Sequence, residues 1–97
     1  SYLPINKERM IEAYDLRGKA KKFLGRYVES IIDFSNAIEL DSKDSYLYFA
    51  RGMSYEYLGQ KEEALKDLKF SLLLDPDFDL PKSIIDFLEK WENIHKS

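Results

Sequence analysis

The sequence predicts an all-α protein, an α-solenoid of two antiparallel helix-pair repeats followed by one C-terminal capping helix. The first observation is a 34-residue self-similarity, which places Gly18 over Gly52 and Gly25 over Gly59. The second is the helical spacing of apolar residues within each unit. The third is a last apolar stripe after Pro81, with no further helix behind it. A fixed period of this length is typical of stacked helical repeats.

The composition is that of one small folded domain. The 97 residues are 44% hydrophobic and 34% charged, a balance typical of globular proteins. A chain of this length buries a modest core but is too short to enclose a deep active site. The net charge of −3 disfavours nucleic-acid binding, which depends on a basic surface. The longest purely apolar run is three leucines at residues 72–74, so we expect no membrane partner.

The start of the chain carries no targeting pattern. Residues 1–4 have no signal-peptide architecture, and no initiator methionine precedes them. We therefore expect a domain taken from a longer protein, with a cytoplasmic, intracellular location.

The repeat is visible in the spacing of identical residues. Sliding residues 11–44 onto residues 45–78 gives nine identical pairs, and most other pairs keep their polarity. Chance alone does not give this many identities on one helical pattern. The identical pairs are Tyr14/Tyr48, Arg17/Arg51, Gly18/Gly52, Leu24/Leu58, Gly25/Gly59, Glu29/Glu63, Asp33/Asp67, Leu40/Leu74 and Asp41/Asp75.

Each repeat divides at its second glycine into two helices. The first helix begins at Lys7 after the capping residue Asn6 and runs to about Leu24. Gly25 and Gly59 then favour left-handed turns between antiparallel helices. The second helices carry the apolar stripes Tyr27, Ile31, Phe34 and Ile38 in repeat one and Leu65, Leu68 and Leu72 in repeat two. Polar turns between units are predicted at residues 41–44 and 75–77.

Two further glycines lie inside helices at the same phase of both repeats. At Gly18 and Gly52, glycine costs about 0.5–1 kcal/mol relative to alanine. A cost that recurs in both units needs a reason. We expect a neighbouring helix to approach too closely for a side chain at each position.

An arginine and an aspartate also recur together. Arg17 and Arg51 lie beside the glycines of close approach, and Asp33 and Asp67 face back from the following helix. We predict an ion pair within each repeat, Arg17 with Asp33 and Arg51 with Asp67. An arginine that holds a ligand is the alternative.

A last helix is predicted over residues 80–95, with Pro81 in its first turn. It repeats the spacing of a first helix, with Leu88 where the other repeats have glycine. We interpret it as a cap over the last apolar face of the solenoid. A docking surface that contains Trp91 is the alternative. Its apolar stripe is Ile84, Phe87, Leu88, Trp91 and Ile94.

These residues resemble the tetratricopeptide repeat family, whose 34-residue motif combines aromatic, small and proline positions. The resemblance covers residues 11–78, and repeat one departs from the motif at Lys21 and Ser42. It implies a solenoid whose first helices line a concave groove and bind peptides or partner helices. The motif positions hold Tyr14, Gly18, Lys21, Ser30, Phe34 and Ser42 in repeat one and Tyr48, Gly52, Tyr55, Ala64, Leu68 and Pro76 in repeat two.

Catalytic and metal-binding patterns are missing from the sequence. There is no cysteine, and the single histidine, His95, has only Glu92 at a helical ligand spacing. The glycines form no phosphate-binding loop, and no serine lies in a nucleophile elbow. We therefore expect that the protein is not an enzyme and has no cofactor and no metal site. We expect the side chain of His95 to be exposed to water.

One subclass of the family binds the acidic C-terminal tails of Hsp70 and Hsp90 chaperones through a two-carboxylate clamp. The clamp needs lysine, asparagine and arginine on successive first helices. The corresponding positions here do not form a bidentate carboxylate site, so we expect no binding of chaperone tails. Those positions hold Asp15, Lys19, Ala50, Lys82 and Asp86.

The partner-binding surface is predicted on the row beside the packing stripe of each first helix. Repeat two contributes aromatic residues and methionine, which are typical of interfaces. Repeat one adds lysines that favour an acidic partner. Burial of this row under the first or last helix is the alternative. The candidate residues are Leu16, Lys19, Lys22, Phe23, Tyr46, Phe49, Ala50, Met53 and Tyr57.

The predicted function is protein–protein interaction without catalysis. We expect a module that binds a peptide or helix segment in a concave aromatic groove and scaffolds a complex. The alternative is a self-association or architectural module of a larger protein, in which a homo-oligomer occludes the groove.

Overall fold

The computed structural model describes residues 6–95, which form five α-helices joined by short turns. α1 packs along α2, α3 along α4, and α2 also packs against α3. This arrangement confirms the predicted all-α solenoid. Within the described range, no helix is both long and apolar enough to cross a membrane. The helices are α1 (Lys7–Phe23), α2 (Tyr27–Leu40), α3 (Ser45–Leu58), α4 (Lys61–Leu74) and α5 (Lys82–His95).

The turns within the helix pairs use the predicted capping residues. The Asn6 side-chain oxygen accepts a hydrogen bond of 2.8 Å from the backbone N–H of Arg9 and so caps α1. Gly25 and Gly59 have φ values of 80° and 90°. Because only glycine adopts this left-handed conformation without strain, these two positions set the tight reversal between each pair of helices. The predicted left-handed turns are confirmed.

The helices of each pair approach closely at the two buried glycines. A Cβ atom at Gly18 would lie 3.0 Å from the ring of Phe34. A Cβ atom at Gly52 would lie 3.1 Å from Cβ of Asp67 and Cγ of Leu68. Both distances are shorter than an ordinary van der Waals contact. The predicted close approach of the following helix is confirmed, and a side chain at either position would force its neighbours to shift.

The core has two parts along the solenoid axis. The first lies between α2 and α3 around the fully buried Phe34. The second lies between α4, the segment before α5, and α5 itself, where Leu80 and Ile84 pack on Leu68. Each boundary between helix pairs therefore has its own apolar layer, as expected for a solenoid. The buried apolar residues of the first part are Phe34, Ala37, Ile38, Leu47, Tyr48 and Ala50.

Both predicted ion pairs form between the helices of a repeat. The Arg17 guanidinium donates hydrogen bonds of 2.7 to 3.1 Å to Asp33. Arg51 donates bonds of 2.7 and 2.8 Å to Asp67. Both carboxylates are buried. Each guanidinium supplies the hydrogen bonds that its buried carboxylate needs, so both arginines stabilise the fold. The predicted ion pairs are confirmed.

The terminal helix α5 begins at Lys82, two residues after the predicted start. Leu80 and Pro81 precede it, and the Pro81 carbonyl accepts from the backbone N–H of Ile84 at 3.0 Å. Leu80 is nevertheless buried and packs together with Ile84. The last apolar layer is thus covered by α5 and by the segment that leads into it.

Candidate functional site

Two of the predicted binding residues, Lys19 of α1 and Tyr46 of α3, meet where these two helices lie side by side. The ammonium of Lys19 lies 4.9 Å from the centre of the Tyr46 ring and 3.3 Å from the carboxylate of Asp15. A cation over an aromatic ring is attracted by its negative face. We call this surface the α1–α3 face; its residues are Asp15, Lys19 and Lys22 from α1 and Tyr46, Phe49, Met53 and Tyr57 from α3.

The charges of this face shift the proton affinities of three groups. Burial lowers the pKa of Lys22, and repulsion from Lys19 lowers it further. Burial opposes the charged form of Lys19 as well, but attraction to Tyr46 and Asp15 outweighs it and raises the pKa of Lys19. Burial raises the pKa of the Tyr46 hydroxyl. Lys22 is therefore the cation on this face whose charge is least compensated.

Asp15 adds an unsatisfied acceptor to the same face. Its Oδ2 pairs with Lys19, whereas its Oδ1 is buried and has no hydrogen-bond partner among the described residues. A buried carboxylate oxygen without a donor costs free energy. The α1 side of the face therefore holds Lys22, whose charge Asp15 compensates only in part, and a buried Asp15 oxygen that lacks a donor among the described residues.

The middle of the α3 row is covered, contrary to the expectation of an open row. The Phe49 ring lies 5.2 Å from the ring of Phe78, and Phe49 and Met53 both pack on the core beneath α5. The segment that leads into α5 passes over them because it must bury its own apolar residues. Phe49 and Met53 are half-buried, so truncating them would weaken the fold as well as any contact with a partner.

Ala50 lies in the core, and its prediction as a binding residue was wrong. It is 0% exposed because α2 packs directly on this side of α3. The equivalent residue of repeat one is Leu16, which is 57% exposed. Leu16 thus lies on the outer side of α1 and is separated from the α1–α3 face.

The two aromatic residues at the helix ends differ in their surroundings. Tyr57 stacks on Tyr27 with ring centres 5.3 Å apart and remains 55% exposed. Phe23, its equivalent in repeat one, is 90% exposed. Tyr57 is therefore held in place and available at the end of the α1–α3 face, whereas Phe23 belongs to the outer edge with Leu16.

Sequence reasoning missed one apolar patch on α4. Phe70 and Leu73 border a shallow cavity of about 510 Å³ beside Tyr48, whose ring meets that of Phe70 at 4.7 Å. The equivalent residues of repeat one are Asn36 and Glu39. A comparison of polarity between the repeats, in addition to identity, would have found this patch.

The sequence matches models of a known repeat family. Two tetratricopeptide repeat models match residues 11–44 and 34–66, which together cover more than half of the chain. The chain belongs to the tetratricopeptide repeat family. The repeats are interaction modules, and this tetratricopeptide protein is accordingly a protein–protein interaction module.

Two mouse proteins are similar to this tetratricopeptide chain. Sperm-associated antigen 1 from Mus musculus is 31% identical over 78 residues, which is 80% of the chain and 9% of the relative. Outer dynein arm-docking complex subunit 4 from Mus musculus is 33% identical over 66 residues, which is 68% of the chain and 11% of the relative. The chain spans about a tenth of the length of these curated relatives.

The described part of the chain offers no group of histidine, cysteine or carboxylate side chains arranged for a metal ion. Its tetratricopeptide repeats belong to a family that is generally not catalytic. The side chain of His95, for which we expect a solvated position, lies outside the described residues.

Proposed function

We propose that the α1–α3 face binds an acidic peptide or helix segment of a partner protein and thereby holds that partner in a larger assembly. The observation that carries the proposal is Lys22. It is half-buried beside Lys19, and no ion pair within residues 6–95 uses its ammonium. A partner carboxylate at this position would add to the attraction from Asp15, which burial and repulsion from Lys19 outweigh.

The rest of the face supplies contacts suited to such a partner. Lys19, which pairs with Asp15, provides a second cation. Tyr46 and Tyr57 add aromatic area with a polar tip. Tyr57 is more than half exposed and already ordered by Tyr27, so its use in binding costs little side-chain entropy.

The relatives support a role in assembly. One of them is named as a subunit of a docking complex, and docking requires surfaces that hold another protein. We propose that this module likewise connects a partner protein to a larger complex.

The first test selects ligands from a displayed random-peptide library. We expect enriched peptides with Asp or Glu beside an apolar residue. Their affinity should fall about tenfold in Lys19→Gln/Lys22→Gln and about tenfold in Tyr57→Ala, measured by calorimetry. The matched control is Lys43→Gln/Lys66→Gln, which removes the same charge from exposed lysines outside the face and should keep full affinity. Selected peptides that bind both lysine variants equally well would overturn the proposal.

Lys22 also predicts a specific pH dependence. Because its pKa is lowered, Lys22 loses its charge at a lower pH than an ordinary lysine, whose pKa is about 10.4. Affinity for an acidic peptide should therefore fall as the pH rises through that lowered pKa. The Lys22→Arg variant stays charged and should keep its affinity over the same range. Parallel pH profiles for both proteins would contradict this role of Lys22.

The same pKa shift predicts opposite effects on stability and binding. A lowered pKa in the folded state means that the charged form of Lys22 opposes folding, and this cost is fully present below the folded pKa. Lys22→Gln should leave the free energy of unfolding at pH 7 unchanged or slightly higher while it weakens peptide binding. A clear loss of stability on denaturant titration would show that Lys22 is structural instead.

A further inference from the structure

A recess on α4 is apolar at its centre and positively charged at its rim. It is the shallow cavity of about 510 Å³ beside Tyr48, and we call it the α4 recess. Its volume lies within the range of about 300–1,000 Å³ that is typical of ligand cavities in proteins. It shares no residue with the α1–α3 face. The recess is lined by Tyr48, Lys66, Asp67, Lys69, Phe70 and Leu73.

The α4 recess lies inside the row of helices and is not an end face of the solenoid. On one side, α2 packs on α3, which contributes Tyr48 to the recess. On the other side, α5 lies against α4, where Ile84 packs on Leu68 and Lys69 pairs with Glu92. The neighbours of the recess along the solenoid axis are therefore both described.

The first repeat has a recess at the corresponding place, with polar residues where the second repeat has apolar ones. A cavity of about 330 Å³ lies beside Tyr14 and is bordered by Asn36 and Glu39. These two residues occupy the positions that Phe70 and Leu73 hold in repeat two. The helix pair of repeat one forms with polar side chains at both positions, so the fold does not require the apolar pair.

Phe70 and Leu73 form one apolar ridge that faces outward. Leu73 is 73% exposed and Phe70 is 38% exposed. The Phe70 ring is held in place by its edge contact with the ring of Tyr48, at 4.7 Å. The two side chains are neighbours because they lie three residues apart on one helix. A second helix can pack apolar residues of its own, spaced one turn apart, against such a ridge.

The charges available at the rim of the recess are positive. Lys66 is exposed, and the side chain of Lys69 is half-exposed. Asp67 is buried, and Arg51 donates hydrogen bonds to both of its oxygens. The pair of Lys69 with Glu92 joins two half-exposed side chains, and such surface pairs contribute little stability. In a chain of net charge −3, this rim favours an acidic partner.

From the difference between the repeats and the sign of the rim charges, we infer that the α4 recess docks an amphipathic helix of a partner protein. Two large apolar side chains of that helix pack over Phe70 and Leu73, and its acidic side chains lie beside Lys66 and Lys69. The inference is independent of the α1–α3 face, so the chain has two separate surfaces for partner segments.

The probe is a displayed library of amphipathic helical peptides, with leucine or phenylalanine one turn apart and random residues elsewhere. It is selected on the Lys19→Gln/Lys22→Gln chain, so that peptides specific for the α1–α3 face are not retained. We expect enrichment of Asp and Glu beside the apolar positions. The selected peptides should bind the wild-type chain with equal affinity, measured by calorimetry.

An exchange between the repeats tests the apolar ridge. Phe70→Asn/Leu73→Glu gives repeat two the residues of repeat one and should lower the affinity of the selected peptides about tenfold or more. Leu73→Glu alone should also weaken binding strongly, and its exposed position keeps the fold intact. The matched control is Phe23→Asn/Leu24→Glu, which makes the same exchanges at exposed residues outside the recess and should keep full affinity.

A charge reversal tests the rim. Lys66→Glu should lower the affinity about tenfold, because it places a carboxylate beside the acidic side chains of the peptide. The matched control is Lys90→Glu, which makes the same change at an exposed lysine of α5 outside the recess. This control should bind the selected peptides as the wild type does.

Two-dimensional amide NMR spectra locate the bound peptide. Shift changes should concentrate at Tyr48 and over residues 66–73. Changes centred on α1 and on Tyr57 would assign the peptides to the α1–α3 face and overturn the inference. It is also overturned if the library gives no acidic peptides, or if the ridge variant and its control bind equally well.

Sedimentation equilibrium tests a second copy of the chain as the occupant. The wild-type chain and Leu73→Glu should have the same average mass over the whole concentration range. A wild-type dimer that Leu73→Glu abolishes would mean that the recess is a self-association surface, which overturns the inference of a partner helix. None of these outcomes changes the test of Lys19 and Lys22, so the two binding surfaces succeed or fail separately.

Discussion

Replacement of Phe34 by alanine should lower the free energy of unfolding by about 3–5 kcal/mol. Phe34 is fully buried and lies at the centre of the first core, where its ring touches the backbone of Gly18 and packs between α2 and α3. Its removal also removes the contact that the ring makes at Gly18, and it leaves a cavity between the helices that adds to the lost burial. Urea denaturation followed by circular dichroism measures the loss.

The matched control is Phe23→Ala in the same repeat. Phe23 is 90% exposed, so its removal should change the unfolding free energy by less than about 0.5 kcal/mol. A small protein has about 5–15 kcal/mol of stability in total. The first variant should therefore show a markedly lower denaturation midpoint, and the second should match the wild type. Similar midpoints for both would contradict the assigned core.

The repeat period made most of the fold predictable. Glycines at the same phase in both units predicted the helix ends and the points of closest approach. A left-handed turn depends only on the local backbone, and a close approach depends only on the two helices of one repeat, so both recur with the repeat period. Arg17 and Asp33 could be paired for the same reason. The turns, the close approaches and the ion pairs each form within one helix pair. The sequence of that pair therefore contains every residue needed to predict them.

The binding surface was less predictable, because exposure depends on what packs between helix pairs. Ala50 and Leu16 occupy the same position of their repeats, yet one is buried against α2 and the other is open. Phe49 was expected on an open row and is covered by the segment that carries Phe78. Helical periodicity orders residues around one helix, but it does not say which neighbour covers each side.

The two ion pairs, although identical in sequence, should differ in their importance for stability. Arg51 is largely buried, with 21% of its side chain exposed, and it also donates a hydrogen bond of 3.1 Å to Ser35 of the preceding repeat. Arg17 is mostly exposed, and Lys21 lies 3.9 Å from the same Asp33 carboxylate. Only the Asp67 carboxylate would therefore be left without a cation when its arginine is removed.

Arg51→Ala should lower the free energy of unfolding by about 3 kcal/mol, the lower end of the range for breaking a buried ion pair, because Arg51 keeps some contact with water. Arg17→Ala should cost clearly less, since Lys21 remains beside Asp33. Urea denaturation of the two variants under identical conditions gives this comparison. Equal losses would mean that Lys21 does not substitute for Arg17.

The double variant Arg51→Ala/Asp67→Ala separates the charge from the packing. If the loss in Arg51→Ala comes from an uncompensated buried carboxylate, removal of that carboxylate as well should recover part of the stability. The remaining loss then measures the contacts of the arginine with Ser35 and with the ring of Tyr48, 5.7 Å away. A double variant no more stable than Arg51→Ala would contradict the explanation by an uncompensated buried carboxylate.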